Sequence, residues 1–325
     1  MRSPRMDNFK CLLMACVVLG HLLELQEGWD YLYLVIYAFH MPLFVWVCGY
    51  FARPADTGCV RSLLLPYLVL QLLYSYLSVY LWHMEEEIKI LEPYWLMWFI
   101  MALLLWRLLL PLADVKGIKS QAIALGVTFG LSLLSGWEHE LRFVLSFQRM
   151  LALLPMFLLG YYCRQRQAQA SAWWASLGKA RRNLIRCCLG LGVLLALGLI
   201  FLNRADIPRE FFYYKYPYGK KGGTVFLRGA LLLGSLVWLG FFLSVMPGRA
   251  VPLLTRVGRN TLPVYLLHGL VVKQLEYMGV YERVGRPWLL TLVLWAGMLL
   301  LFSSPPVERL FRRCFGTGKR RNVTY

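Results

Sequence analysis

Seven ionisable residues fall inside or at the ends of long apolar runs: Lys10, His21, His40, Arg107, Arg149, His268 and Lys273. A charged side chain at bilayer depth costs about 2.5–3.5 kcal/mol on insertion scales, so each of these marks a functional site by default. Lys10 and His21 are eleven positions apart in the chain. On an α-helix that separation is about three turns and ~16 Å of rise, which puts both on one face. His40 belongs to the next apolar run, which returns in the opposite direction, and it reaches the same depth, ~17 Å from the membrane surface nearest Lys10. Two imidazoles at one depth on consecutive antiparallel helices point to a single buried site. The chemistry that suits them is acyl transfer. A cation at the mouth holds the phosphates of a nucleotide-bearing donor, and a buried imidazole accepts the proton of a hydroxyl as it attacks a thioester carbonyl. A plainer reading stays open, with Lys10 as a surface charge anchor and the histidines as hydrogen-bonding bridges between helices.

The elements that must position these residues are membrane helices. Of the 325 residues, 59% are hydrophobic and 16% charged, against roughly 25% charged in soluble domains. Apolar runs at 9–25, 31–51, 63–82, 94–113, 121–136, 143–163, 184–202, 224–246, 262–280 and 287–304 leave no hydrophilic stretch long enough for a soluble domain. The runs are continuously apolar and do not alternate with period two, which argues for helices over a barrel. The expectation is an all-α, polytopic integral membrane bundle of about ten transmembrane helices, forming one domain over 1–325. The first run carries His21 and ends at Glu24 with no small-residue cleavage site, so it reads as a retained helix.

Charge sets the orientation. Arg2, Arg5, Arg53, Arg61, Lys116, Lys119, the basic stretch 164–186, Arg249, Arg256, Arg259 and the tail 309–321 fall on one side of a ten-span layout. Most of the acidic residues, among them Glu24, Asp30, Glu85 to Glu87, Glu138, Asp206 and Glu276, fall on the other. The inside-positive bias makes the basic side cytoplasmic, with both termini there and the protein multi-pass in the cell membrane. The net charge of +18 therefore reports topology, and no nucleic-acid partner is expected, because the basic residues sit in short clusters between apolar runs. None of the eight cysteines falls in a loop placed outside, so free thiols are expected, and their spacing suggests no metal site. The loop 203–223 holds an aromatic and basic stretch from Phe211 to Gly223. It lacks the spacing of a phosphate loop, and reads either as an interfacial aromatic belt or as a platform for a sugar or a lipid pyrophosphate. Trp95 and Trp98 read as belt residues.

Asp7, Asn8, Phe9 and Lys10, then Val17 to His21, then Phe39, His40, Met41, Pro42, Leu43 and Phe44 with Gly49, Tyr50 and Phe51, resemble the opening of the acyltransferase-3 family, in particular its fucose 4-O-acetylase-like branch. Further matches are Arg61 to Tyr67, Trp98 and Phe99 with Arg107, Arg149 with Leu154 to Phe157 and Gly160, and Gly258 to Thr261 with Tyr265 to His268. The resemblance covers nearly the whole chain. It implies a membrane O-acyltransferase that takes acetyl-CoA, or occasionally another acyl-CoA, as donor and acetylates a cell-surface polysaccharide or lipid-linked sugar; no metal is expected. His21 is then the general base and His40 a second essential imidazole, with Lys10, Arg61 and Arg149 stabilising the acyl-CoA or the intermediate. The family's arginine eleven residues before the first histidine is Lys10 here, which keeps the charge and loses bidentate phosphate contact. A different class, a transporter or flippase for a small solute or lipid-linked sugar, also needs polar residues inside a bundle, but typically shows repeat symmetry or paired broken helices.

Overall fold

The computed structural model describes residues 3–140, 143–219 and 223–315. Among these the regular elements are all helical. In chain order they are α1 (Pro4–Leu23), α2 (Asp30–Tyr50), α3 (Thr57–Tyr80), α4 (Trp98–Ala113), α5 (Ile118–Leu134), α6 (Phe147–Gln165) and α7 (Gln167–Ser176). The second half adds α8 (Lys179–Leu202), α9 (Val225–Val245), α10 (Pro252–Arg259), α11 (Thr261–Tyr277), α12 (Val280–Arg283), α13 (Pro287–Phe302) and α14 (Pro305–Phe315). Short 3-10 turns extend α4 and α6 at their starts and α5 at its end.

A helix stands at each of the ten expected segments, yet among the described residues eight helices are long and apolar enough to cross a membrane, or nine spans if α13 and α14, bent by 58°, form one. The shortfall lies in the C-terminal part. Gly279, at φ 56°, caps the turn after α11, so that helix stops at 17 residues where the apolar run continues into the turn. Pro287 opens α13, a 16-residue helix.

The chain forms two compact units, the first from residues 1–29, 56–101 and 246–325, the second from 30–55 and 102–245. In the first, α1 packs on α10, α11 and α13. Phe9, Leu13, Met14, Val18 and Leu22 are fully buried there. Polar clips fix this packing where lipid offers the backbone no water. Asn8 donates from Nδ2 to the carbonyls of Pro247 (3.1 Å) and Arg249 (3.0 Å) and accepts from Thr255 (2.9 Å). Gln26 donates to the Thr291 hydroxyl at 2.7 Å, and the Trp295 indole donates to the Ala15 carbonyl at 2.8 Å.

The second unit is built on the crossing of α2 with α6. A Cβ on Gly49 would stand 1.9 Å from the Phe157 carbonyl oxygen, and one on Gly160 would stand 2.0 Å from that of Trp46. The two backbones touch where each helix offers its partner a glycine, the small-residue contact by which membrane helices gain van der Waals packing that lipid cannot supply. Trp106 of α4 locks onto α6 by donating from its indole to the Met150 carbonyl at 2.9 Å. All eight cysteines are free thiols.

Candidate active site

His21 sits in the last turn of α1 with its ring 15% exposed. One turn on, Glu24 places Oε2 3.3 Å from His21 Nδ1. A carboxylate only accepts, so Nδ1 carries the proton in this pair and Nε2 holds the lone pair. The carboxylate orients the ring and steadies the positive charge that forms when Nε2 takes a proton, as in base–orienter pairs generally.

His268 of α11 stacks on His21, with ring centroids 5.4 Å apart and 29° between planes. It is fully buried, and its Nδ1 lies 3.0 Å from the Val264 carbonyl one turn back. That carbonyl fixes the proton on Nδ1 and leaves Nε2 as the acceptor. His268 Nε2 is enclosed and has no hydrogen-bond partner among the described residues. A buried acceptor without a donor is a cost the fold bears, and such costs concentrate at functional sites.

Trp95 closes the pair from the side, its ring meeting His21 edge-on at 4.6 Å. Its φ of 37° is left-handed, a strained conformation for a bulky residue that persists only where the surroundings over-determine it. They do so here. Gln71 accepts from the Tyr94 amide at 2.8 Å and donates to the Glu92 carbonyl at 3.0 Å, and the Tyr265 hydroxyl donates to the Leu96 carbonyl at 2.6 Å. Gly269 of α11 leaves the room this turn needs, since a Cβ there would fall 2.1 Å from Leu96 and 2.4 Å from the Tyr74 hydroxyl. Lys273, one turn beyond, lies over the Trp95 ring at 4.7 Å and donates to Glu276 at 2.7 Å.

Further along α1, Lys10 pairs with Asp7 at 2.8 Å, and Arg259 of α10 reaches the other oxygen of the same carboxylate at 3.4 Å. Asp7 is 2% exposed while the Arg259 side chain is 50% exposed. The group of two cations and one buried anion thus carries a net positive charge at its open edge. Arg256 lies one turn before Arg259 on the same short helix.

Of the residues expected from sequence, Lys10, His21 and Arg61 lie in the first unit, and His40 and Arg149 in the second. Arg61 is exposed in the first turns of α3, and Arg149 is half-buried in the first turn of α6. His40 is 2% exposed. Its Nδ1 lies 2.8 Å from the Ile36 carbonyl, which sets the same tautomer as in His268. Tyr37 packs edge-on against it at 4.7 Å and stacks on Tyr33 at 4.0 Å. The residues that sequence reasoning did not join to His21 are Glu24, His268 and Trp95. The i, i+3 spacing of Glu24 to His21 was a usable signal, as was that of Asp7 to Lys10.

Two adjacent imidazoles with Nε2 kept as acceptor, one of them backed by a carboxylate, are equipped to move a proton to or from a hydroxyl or thiol. The sequence profile of the acyltransferase domain family matches residues 3–304. The chain belongs to that family. Membrane acyltransfer is the activity of this family, and the match runs through both units and all of the residues named above. No curated protein and no solved structure matches this acyltransferase.

Proposed function

We propose that the chain is a membrane O-acetyltransferase of the fucose 4-O-acetylase-like branch, moving an acetyl group from acetyl-CoA to a hydroxyl of a cell-surface polysaccharide or lipid-linked sugar. The observation that carries this reading is the Glu24–His21–His268 cluster, a polarised base beside a second buried acceptor. His21 Nε2 removes the acceptor's hydroxyl proton, the oxygen attacks the thioester carbonyl, the C–S bond breaks, and the imidazolium returns the proton to the departing CoA thiolate. Ester and free thiol are the products, and no net proton is consumed.

In this reading the donor comes from the cytoplasm, the side to which the inside-positive bias assigns the basic loops and both termini. Lys10, paired with Arg259 through Asp7, meets the phosphates of acetyl-CoA, with Arg61 as a further contact. The resemblance further assigns Arg149 to stabilising the acyl-CoA or the intermediate, and makes His40 a second essential imidazole. The acceptor reaches His21 past Trp95, whose ring offers an apolar face to a sugar. Membrane lipid surrounds the whole.

The test is label transfer from radiolabelled acetyl-CoA by the purified full chain in nanodiscs, with free CoA followed in parallel. Wild-type protein is expected to release CoA, and His21→Ala and His40→Ala to lose activity by about 10²–10⁴-fold, the usual contribution of a general base. Normal turnover by a stably inserted His21→Ala protein removes the assignment. Solute uptake without acyl turnover replaces the enzyme with a transporter.

A further inference from the structure

Arg228, the fourth residue of α9, is 2% exposed. Its Nη1 donates to the Ser132 carbonyl (3.2 Å) and the Ser135 hydroxyl (2.9 Å), its Nη2 donates to the Tyr216 carbonyl (3.3 Å), and the guanidinium lies over the Tyr218 ring at 4.8 Å. Every one of these partners is neutral, and no acidic side chain pairs with Arg228 among the described residues. Taking a cation out of water costs several kcal/mol even after the surroundings relax, and neutral acceptors offset only part of that. A guanidinium has five N–H donors in a rigid fork. Three are used, which leaves Nε–H and one N–H of Nη2. Nε and Nη2 share one edge of the guanidinium, the edge that grips two oxygens of an oxyanion when both present an N–H to it.

Two other polar groups beside this fork are left over. The Tyr214 hydroxyl and the Gln148 side-chain oxygen are enclosed and have no hydrogen-bond partner among the described residues. Tyr214 is 3% exposed and Gln148 fully buried. The Gln148 amide donates to the carbonyl of Ser135 at 3.0 Å, the residue whose hydroxyl accepts from Arg228. Burial pushes the Tyr214 phenol well up from its ordinary range, and the nearby Arg228 guanidinium pulls against that. Tyr214 holds φ at 55°, a strained backbone fixed by its neighbours. Tyr218 donates from its amide to the Gly136 carbonyl at 2.7 Å and from its hydroxyl to that of Leu133 at 2.8 Å. Residues 220–222 of the basic stretch beyond lie outside the described residues.

We propose that Arg228, Tyr214 and Gln148 form a binding site for a phosphate ester that carries a neighbouring hydroxyl, at the end of the second unit where α5 stops and α6 and α9 begin. Two phosphate oxygens take the free edge of the Arg228 fork and a third interaction comes from the Tyr214 O–H. The Gln148 oxygen, which can only accept, takes the ligand's hydroxyl. This chemistry fits a soluble sugar phosphate and equally a glycerophosphate lipid headgroup. The proposal uses none of the residues of the His21 cluster and stands whether or not the acetyl-transfer reading holds.

The experiment measures the thermal unfolding midpoint of the full chain in phosphatidylcholine nanodiscs. Glucose 1-phosphate is titrated in one arm, and phosphatidylglycerol replaces part of the phosphatidylcholine in the other. Wild-type protein is expected to shift upward with at least one of the two, and the arm that responds names the source. Tyr214→Phe is expected to leave the ligand-free midpoint unchanged or raised, because it removes an unsatisfied buried hydroxyl, while weakening the ligand about tenfold. Arg228→Lys keeps the charge, loses the fork, and weakens it further. Should Arg228→Lys not insert stably, Tyr214→Phe decides alone. No shift in wild type from either ligand overturns the proposal, and so does a shift that Tyr214→Phe leaves undiminished.

Discussion

The imidazoles of His21 and His268 stack with 5.4 Å between centroids, although 247 positions separate them in the chain. Each ring has its proton placed on Nδ1 by a neighbour one turn away on its own helix, Glu24 in one case and the Val264 carbonyl in the other. Both Nε2 atoms are thereby kept as acceptors. The pair is thus chemically unequal, since only His21 has a negative charge at its back.

That inequality predicts different costs. His21→Gln is expected to lower kcat by about 10²–10⁴-fold, as loss of a general base does. His268→Gln, which keeps a polar group without the basic nitrogen, is expected to cost less than His21→Gln and still a measurable loss. Steady-state kinetics of both proteins, matched for thermal midpoint, check this. Equal and full activity of His268→Gln makes His268 a packing residue.

Glu24→Gln preserves the shape of the orienting side chain and removes its charge. A charge-assisted hydrogen bond is worth about 1.5–3 kcal/mol, so kcat is expected to fall ~10- to 100-fold with KM for the acyl donor little altered. A change in donor KM alone assigns Glu24 to binding instead of proton handling.

At the other end of α1, Lys10→Ala and Arg259→Ala are expected to raise KM for the acyl donor with kcat nearly unchanged, the signature of binding shared by ground and transition states. Lys10→Arg keeps the charge and is expected to bind the donor at least as well, because a guanidinium can hold phosphate in bidentate fashion. Competition by desulfo-CoA, measured on each variant, reports binding without turnover, and an unchanged inhibition constant in Lys10→Ala removes Lys10 from the donor site.

Gly49 and Gly160 face backbone carbonyls at about 2 Å from where a Cβ would stand. Gly160→Ala must push α2 and α6 apart and is expected to destabilise the second unit by about 1–3 kcal/mol or more, the range for overpacking. Thermal unfolding of the purified protein reads this directly. An unaltered midpoint means that the two helices do not depend on that crossing.

Hydropathy alone located every long helix, because lipid permits few ways to satisfy a buried backbone. It overran slightly at the ends of α11 and α13: the runs were drawn to 280 and 304, while the helices stop at Tyr277, ahead of the left-handed Gly279, and at Phe302. The site was legible only in part. His21, His40 and His268 each stood out as ionisable groups in apolar runs, and depth arithmetic set His21 level with His40 without reaching His268. The stacking partner in the first unit comes from α11, and spacing holds no information about which distant helix abuts which. Trp95 read as an interfacial aromatic, since nothing in its type announces a left-handed backbone against an imidazole. Glu24 was counted toward topology when its i, i+3 offset from His21 already placed the two on one helical face.

Asp7 holds two cations at once, and this fixes more than their charge balance. Long basic side chains normally surrender rotamer freedom when they capture an anion. Here the largely buried Lys10 gave up much of that freedom when the chain folded, so an arriving anion finds that counter-charge already placed and loses little affinity to its ordering.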